Sequence, residues 1–69
     1  MINSSLPFYY GGEKFYVTAF DYERGDDGLY IELGEIETKD GQVLDLNLKY
    51  DRLFLMEAEL TVAEHLEEL

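Results

Sequence analysis

The residue types that most often do chemistry are scarce in this chain. His65 is its one histidine, and there is no cysteine to attack a substrate or bind zinc. A histidine titrates near neutral pH and can act as a general base or a pH switch. Ser4 and Ser5 lie in an N-terminal segment that would position a nucleophile poorly, and catalysis depends on positioning. We predict no enzyme activity and no catalytic residue, and interpret His65 as a solvent-facing helix residue beside Glu64 and Glu68.

Oxygen ligands for a cation are more plentiful. Glu23 precedes Asp26 and Asp27, and carboxylates are the ligands that Ca²⁺ and Mg²⁺ prefer. The spacing does not match an EF-hand loop, and turn chemistry explains the Gly-Asp-Asp-Gly stretch without a metal. Gly11 and Gly12 lack the following helix and lysine of a phosphate loop. We therefore predict no metal and no cofactor.

The charge balance excludes whole classes of ligand. The chain of 69 residues has 16 Asp and Glu against 5 Lys and Arg, a net charge of −11. Such a surface repels nucleic-acid backbones and anionic membranes and attracts basic surfaces. The 6 tyrosines could stack on bases, but stacking platforms come with a basic groove. We expect them to supply core and interface area, and expect no direct binding to nucleic acid or membrane.

Glutamates dominate the C-terminal segment, and no Lys or Arg follows Arg52. Carboxylates at a helix C-terminus oppose the helix dipole, so local stability alone would favour lysine there. Two interpretations stay open: an acidic face that recognises a basic partner, or a solubilising surface. The candidate partner-binding residues, whose role would be charge–charge recognition, are Glu57, Glu59, Glu64, Glu67, Glu68, Asp26 and Asp27.

The elements that must position these residues follow from hydrophobic periodicity. We predict a single α+β domain spanning 1–69, a small three- to four-stranded antiparallel meander with a C-terminal amphipathic helix. Residues 1–12 are expected to form a lead-in, residues 13–50 the strands and residues 51–69 the helix. Without disulfides, a domain this small depends on a compact core, a partner or self-association.

Three runs carry the strand signal: Glu13–Tyr22, Leu29–Glu37 and Gln42–Tyr50. Strict alternation places Phe20 on the face opposite Val17 in the first run and leaves that aromatic side uncovered. In the third run, Leu44, Leu46, Leu48 and Tyr50 face one way. A glycine inside the second run, Gly34, predicts a bulge or a close backbone approach.

The C-terminal segment admits two structures. Asp51 is a plausible N-cap, and apolar residues at spacings of three and four favour one long helix. Those residues are Leu55, Ala58, Val62, Leu66 and Leu69, with Leu53 and Leu60 off the stripe. The alternative is a strand over Phe54–Leu60, with Thr61 and Glu64 as the capping box of a short helix. We favour the single helix because turn residues are missing between Tyr50 and Leu53.

These properties predict an acidic protein–protein interaction module that docks on a basic protein surface. Its sharper form is a DNA-mimic inhibitor from a phage or mobile element, bound to a nucleic-acid-binding protein. The alternatives are a small homo-oligomeric assembly protein, such as a homodimer using aromatic strand faces, and an antitoxin-like partner of a basic toxin. The sequence shows no signal peptide and no apolar run of the ~20 residues that a membrane span needs, so we expect a cytoplasmic protein.

Overall fold

The computed structural model, which describes residues 1–46 and 50–68, contains one antiparallel sheet and one helix packed on it. The strands lie in the order β1-β2-β3. The elements are β1 (Ile2–Tyr10), β2 (Glu13–Gly25), β3 (Gly28–Thr38) and α1 (Arg52–Glu67). The predicted α+β fold, an antiparallel meander with a C-terminal helix, is confirmed.

The first strand lies where a lead-in was expected. β1 pairs antiparallel with β2, from Ile2 opposite Phe20 to Tyr10 opposite Glu13. A two-residue turn joins them, with Gly11 at φ 61° and Gly12 at φ 81°, a conformation that glycine adopts without a steric penalty. The description of residues 1–12 as a lead-in was therefore wrong. The proline in β1 is tolerated because β1 is an edge strand.

The predicted third run does not form a strand in residues 42–46. Val43 makes an isolated bridge to Glu37, and the Leu44 N–H donates to the Ile36 carbonyl at 2.9 Å. Residues 47–49 of that prediction, including Leu48, lie outside the described residues. The inward alternation nevertheless holds, because three of its side chains pack against the core: Leu44, Leu46 and Tyr50.

One irregularity in each of the two longer strands, β2 and β3, changes the sequence spacing between the residues that face the core. Three successive cross-strand pairs show it: Val17–Ile36, Ala19–Glu35 and Phe20–Leu33. Thr18 in β2 and Gly34 in β3 are left between these pairs, as in β-bulges. The bulge predicted at Gly34 is confirmed. Phe20, which is 1% exposed, consequently joins Val17 under the helix, so its predicted place on an uncovered face was wrong.

The helix is one continuous element. Asp51 caps it, since its Oδ1 accepts from the Leu53 N–H at 3.0 Å. The Thr61 hydroxyl donates to the Glu57 carbonyl within the helix, so Thr61 does not begin a second helix. The alternative with a strand over Phe54–Leu60 was wrong.

The helix buries one row of side chains against the sheet: Phe54, Ala58, Val62 and Leu66. Ala58, Val62 and Leu66 were predicted for this row. Leu55 is half-buried beside it, and the predicted Leu69 lies outside the described residues. Phe54 takes the first place in the row because the aromatic rings of β1 and β2 surround it at this end of the sheet.

Candidate functional site

The predicted helix glutamates are all exposed, but they do not form one cluster. At about 100° per residue, Glu57, Glu64 and Glu68 follow one edge of the helix. This edge lies on the β1 side, since the charge of Glu57 acts on Tyr10. Glu59 lies on the opposite edge, where it lines a groove with Ile31 of β3. The fifth residue, Glu67, lies on the outer face between the two edges.

Between the two edges, the outer face of α1 is apolar from residue 53 to residue 60, and Glu67 follows on the same face. Leu53, Met56 and Leu60 are 60%, 45% and 52% exposed, and their spacing of three and four places them on one side of a helix. We call these three residues the outer stripe. The predicted position of Leu53 and Leu60 off the buried row is confirmed. A groove of about 190 Å³ continues the stripe toward β3, lined also by Ile31 and Ala63.

The predicted aspartate pair lies in the turn between β2 and β3. Both Asp26 and Asp27 are exposed. Asp27 Oδ2 accepts a hydrogen bond from the Tyr30 hydroxyl at 2.7 Å, and this bond raises the pKa of Tyr30. β2 runs from Phe15 beside the helix start to Phe20 beside the helix end. The turn therefore lies at the same end of the sheet as the helix C-terminus.

A second acidic surface was missed by the sequence analysis. It covers the sheet face opposite the helix, which we call the acidic sheet face. Asp21 lies directly opposite Glu32 across β2 and β3, and like charges in such a pair are destabilising. Asp21 also accepts an ion pair from the N-terminal ammonium at 3.2 Å. The carboxylates on this face are Asp21, Glu23, Glu32, Glu35 and Glu37.

The signal for this face lay in the core residues themselves. Val17 and Phe20, like Leu33 and Ile36, are three positions apart where strict alternation requires two or four. Once each strand is given a bulge at that point, all five carboxylates fall on the face opposite the core.

One lysine lies at the far end of this face. The Lys14 Nζ is 5.3 Å from the centre of the Tyr16 ring and 5.9 Å from that of Tyr9. Hydrogen bonding to Tyr16, and the negative charge of Tyr16 once it ionises, raise the pKa of Lys14 and favour its cationic form. Both rings attract it through cation–π contact. Glu37 lies opposite Tyr16 at this end of the face, whereas Asp21, Glu23 and Glu32 lie toward the β2–β3 turn.

The residues singled out for chemistry are not assembled into a site. Among residues 1–46 and 50–68, no three His, Asp or Glu side chains converge to hold a metal ion. His65 is half-buried, and its ring lies edge-on to Phe20 with centroids 6.5 Å apart. Its predicted solvent-facing position was wrong, because the bulge in β2 brings Phe20 under the helix.

Comparison with protein-family models, with curated proteins and with solved structures finds no match to this chain. Of the helices in the described part of the chain, none is long and apolar enough to cross a membrane. The function must therefore be inferred from the two faces described above: the outer face of α1 with its acidic edges, and the acidic sheet face.

Proposed function

We propose that this protein is an acidic interaction module that docks on a basic surface of another protein. The observation that carries this proposal is the placement of carboxylates on both sides of a rigid fold. One set follows the edges of α1, and the other covers the opposite face of the sheet. With a net charge of −11, either side would attract a cationic partner over roughly a Debye length, about 8–10 Å at moderate salt.

Secondary structure holds these charges at fixed separations. Along one face of a strand, alternate residues are about 6.6 Å apart, and neighbouring strands are about 4.8 Å apart. A fixed array of negative charge is what a nucleic-acid-binding cleft recognises on a phosphate backbone. The sharper form of the proposal is therefore a DNA mimic that inhibits a nucleic-acid-binding protein, such as phages and mobile elements use, acting in the cytoplasm.

Local stability does not account for this arrangement. Glu32 lies opposite Asp21, whose ion pair with the N-terminal ammonium offsets only part of the repulsion. Glu67 and Glu68 place negative charge at the C-terminal end of α1, where folding alone would also disfavour it. A basic partner would neutralise these carboxylates, and the relief of both unfavourable interactions would favour binding. A solubilising surface, the competing interpretation, requires only net charge and no particular placement.

A homo-oligomer is the second candidate, and a specific observation favours it. Phe20, which was expected on an uncovered aromatic strand face, packs in the protein's own core. Tyr9, Tyr22 and Tyr30 stay exposed on the strands, whereas the outer stripe presents an exposed surface of aliphatic and thioether side chains on α1. A homodimer would therefore form through the helix. An antitoxin-like role follows the same charge logic as the main proposal, with a basic toxin as the partner.

The test is affinity capture from lysate with elution on a salt gradient. We would compare wild type with two charge-reversed proteins. The helix-reversed variant carries Glu57→Lys, Glu59→Lys, Glu64→Lys, Glu67→Lys and Glu68→Lys. The sheet-reversed variant carries Glu23→Lys, Glu32→Lys, Glu35→Lys and Glu37→Lys, and leaves Asp21 to its ion pair with the N-terminal ammonium.

The proposal predicts a partner that salt releases and that one of the two variants fails to capture. The variant that fails to capture the partner identifies the docking face. Release by competing duplex DNA would support the DNA-mimic form, whereas salt release without DNA competition would support a partner that does not bind nucleic acid. A partner retained by both variants and indifferent to salt would contradict the proposal.

A further inference from the structure

We propose that the outer stripe of α1 receives a basic amphipathic helix of the partner. The apolar row of that helix would lie on Leu53, Met56 and Leu60, and its lysines and arginines would contact the glutamates on the two edges. This inference rests on the proposed function and specifies the chemistry of its partner.

Exposure and spacing define the apolar contact. The three side chains of the stripe are about half exposed, although the opposite side of the same helix is buried in the core. From Leu53 to Leu60 the stripe spans about 10.5 Å, or two helical turns. Anchors at i, i+3 and i+7 are the pattern by which one helix recognises another.

The groove beside the stripe provides a place for an anchoring side chain. It measures about 190 Å³ and lies between α1 and β3, with Ile31, Met56, Leu60 and Ala63 as its apolar wall. Glu59 stands at its rim. An apolar side chain entering this groove would place a neighbouring basic side chain of the same helix near that carboxylate.

Charge complementarity specifies the rest of the partner. Glu57 and Glu64 line one side of the stripe, and Glu59 lines the other side together with Arg52 at the start of the helix; no Lys or Arg follows Arg52. Lysine and arginine have long apolar stems that pack along apolar surface while their charged ends reach outward. A helix with an apolar row between two basic rows therefore matches both the stripe and its edges.

The same charges disfavour the other occupants. In a helix-to-helix dimer of this chain, the glutamates of one copy would face those of the other, and each copy carries a net charge of −11. An anionic membrane would be repelled in the same way. A basic helix is attracted by the same glutamates, and Arg52 at the start of α1 is the like charge that it meets.

The probe is a synthetic amphipathic peptide of leucine and lysine, about 15–20 residues long so that it forms a helix on binding. Its control is a peptide of identical composition whose order removes the apolar row. We would measure the dissociation constant by calorimetry and map the contact by amide chemical shifts. We expect the amphipathic peptide to bind about tenfold tighter or more, with the largest shifts at the stripe and Ala63.

The matched variant is Leu53→Gln/Met56→Gln/Leu60→Gln, which keeps good helix formers, similar side-chain size and every charge. Its control is Val43→Gln, because Val43 is also exposed, at 61%, and lies outside the stripe. We expect the triple variant to bind the amphipathic peptide about tenfold more weakly or worse, and the control variant to bind like wild type.

Each remaining outcome overturns a distinct claim. If the triple variant binds as tightly as wild type while the helix-reversed variant does not bind, the stripe is not the contact and the proposed function stands. If neither peptide binds wild type, the basic-helix inference is wrong, and the proposed function is decided by the salt-gradient capture. If wild type sediments as a dimer that the triple variant dissolves, a second copy occupies the stripe and the basic-helix inference is wrong.

Discussion

The Tyr10 hydroxyl donates a hydrogen bond of 2.6 Å to Oδ2 of Asp51. The other oxygen of the same carboxylate accepts from the Leu53 N–H at 3.0 Å and caps α1. One carboxylate therefore joins the end of β1 to the start of the helix. The two hydrogen bonds lower the pKa of Asp51, with the Tyr10 bond as the larger cause.

Replacing Tyr10 by phenylalanine should raise the pKa of Asp51 toward its ordinary value and lower the unfolding temperature. NMR titration of the Asp51 carboxyl and thermal unfolding would measure both effects. The control is Tyr30→Phe, which removes a similar bond to Asp27 but caps no helix. An unchanged pKa for Asp51 in Tyr10→Phe would contradict the assignment.

The lowered pKa of Asp51 also predicts a pH dependence. A carboxyl whose pKa is lower in the folded than in the unfolded state contributes stability above the unfolded value, and that contribution is lost as pH falls through the folded value. Asp51 thus favours folding above its ordinary pKa of 3.8. Asp51→Asn should flatten the acid side of the stability curve relative to wild type, as measured by denaturant unfolding at a series of pH values.

Phe54 should be the costliest helix residue to truncate. Its ring lies within 5.0–5.6 Å, centre to centre, of Phe8, Tyr10, Phe15 and Tyr50. Phe54→Ala should lower the free energy of unfolding by about 3–5 kcal/mol, a large fraction of what a small domain possesses. The neighbouring Leu53→Ala, at an exposed position, should change it by about 0.5 kcal/mol or less. Equal losses in the two variants would show that Phe54 does not anchor the core.

Substitution of Gly34 should lower the free energy of unfolding, because the Ala19 backbone and the Met1 side chain lie close to it. A Cβ built there would lie 3.1 Å from the Ala19 carbonyl oxygen and 2.9 Å from the end of the Met1 side chain. The Met1 side chain can move away, but the backbone of the bulge cannot. We expect Gly34→Ala to cost about 1 kcal/mol and Gly34→Val more, by denaturant unfolding. A stabilised Gly34→Ala would show that the bulge relaxes freely.

Reversing the charges at the end of α1 should stabilise the protein. Glu67→Lys and Glu68→Lys replace unfavourable with favourable dipole interactions, each worth about 0.3–1 kcal/mol at low salt. The control is Glu59→Lys, which makes the same change of charge in the middle of the helix, where the dipole effect is weak. If all three variants gain equally, net charge rather than the helix dipole is the cause. Added salt should shrink the gain.

Much of the fold was predictable because periodicity and caps are local. Asp51 and the spacing of Ala58, Val62 and Leu66 placed the helix correctly. The first strand was also within reach, since Leu6, Phe8 and Tyr10 alternate before Gly11-Gly12, a two-residue hairpin signal. Leu44 and Leu46 point into the core although residues 42–46 form no strand, because alternation indicates which side chains are buried and not whether the backbone pairs.

The candidate site was only partly predictable. The exposure of the helix glutamates was expected from their charge. Which edge of α1 each one occupies depends on the orientation of the helix about its own axis, and the burial of Phe54 sets that orientation. The acidic sheet face depended on bulges at Thr18 and Gly34. A one-residue shift in a strand exchanges its two faces. If alternation is continued from Val17 without the bulge at Thr18, it assigns the later residues of β2 to the wrong face.

The most direct test is the affinity of the captured partner as a function of salt, measured in parallel for wild type and the helix-reversed variant. Docking through the helix glutamates predicts wild-type affinity that falls steeply as salt rises. It predicts no measurable binding by the reversed variant at any salt concentration, with its fold retained by circular dichroism. Affinity that is independent of salt and equal in the two proteins would contradict the account.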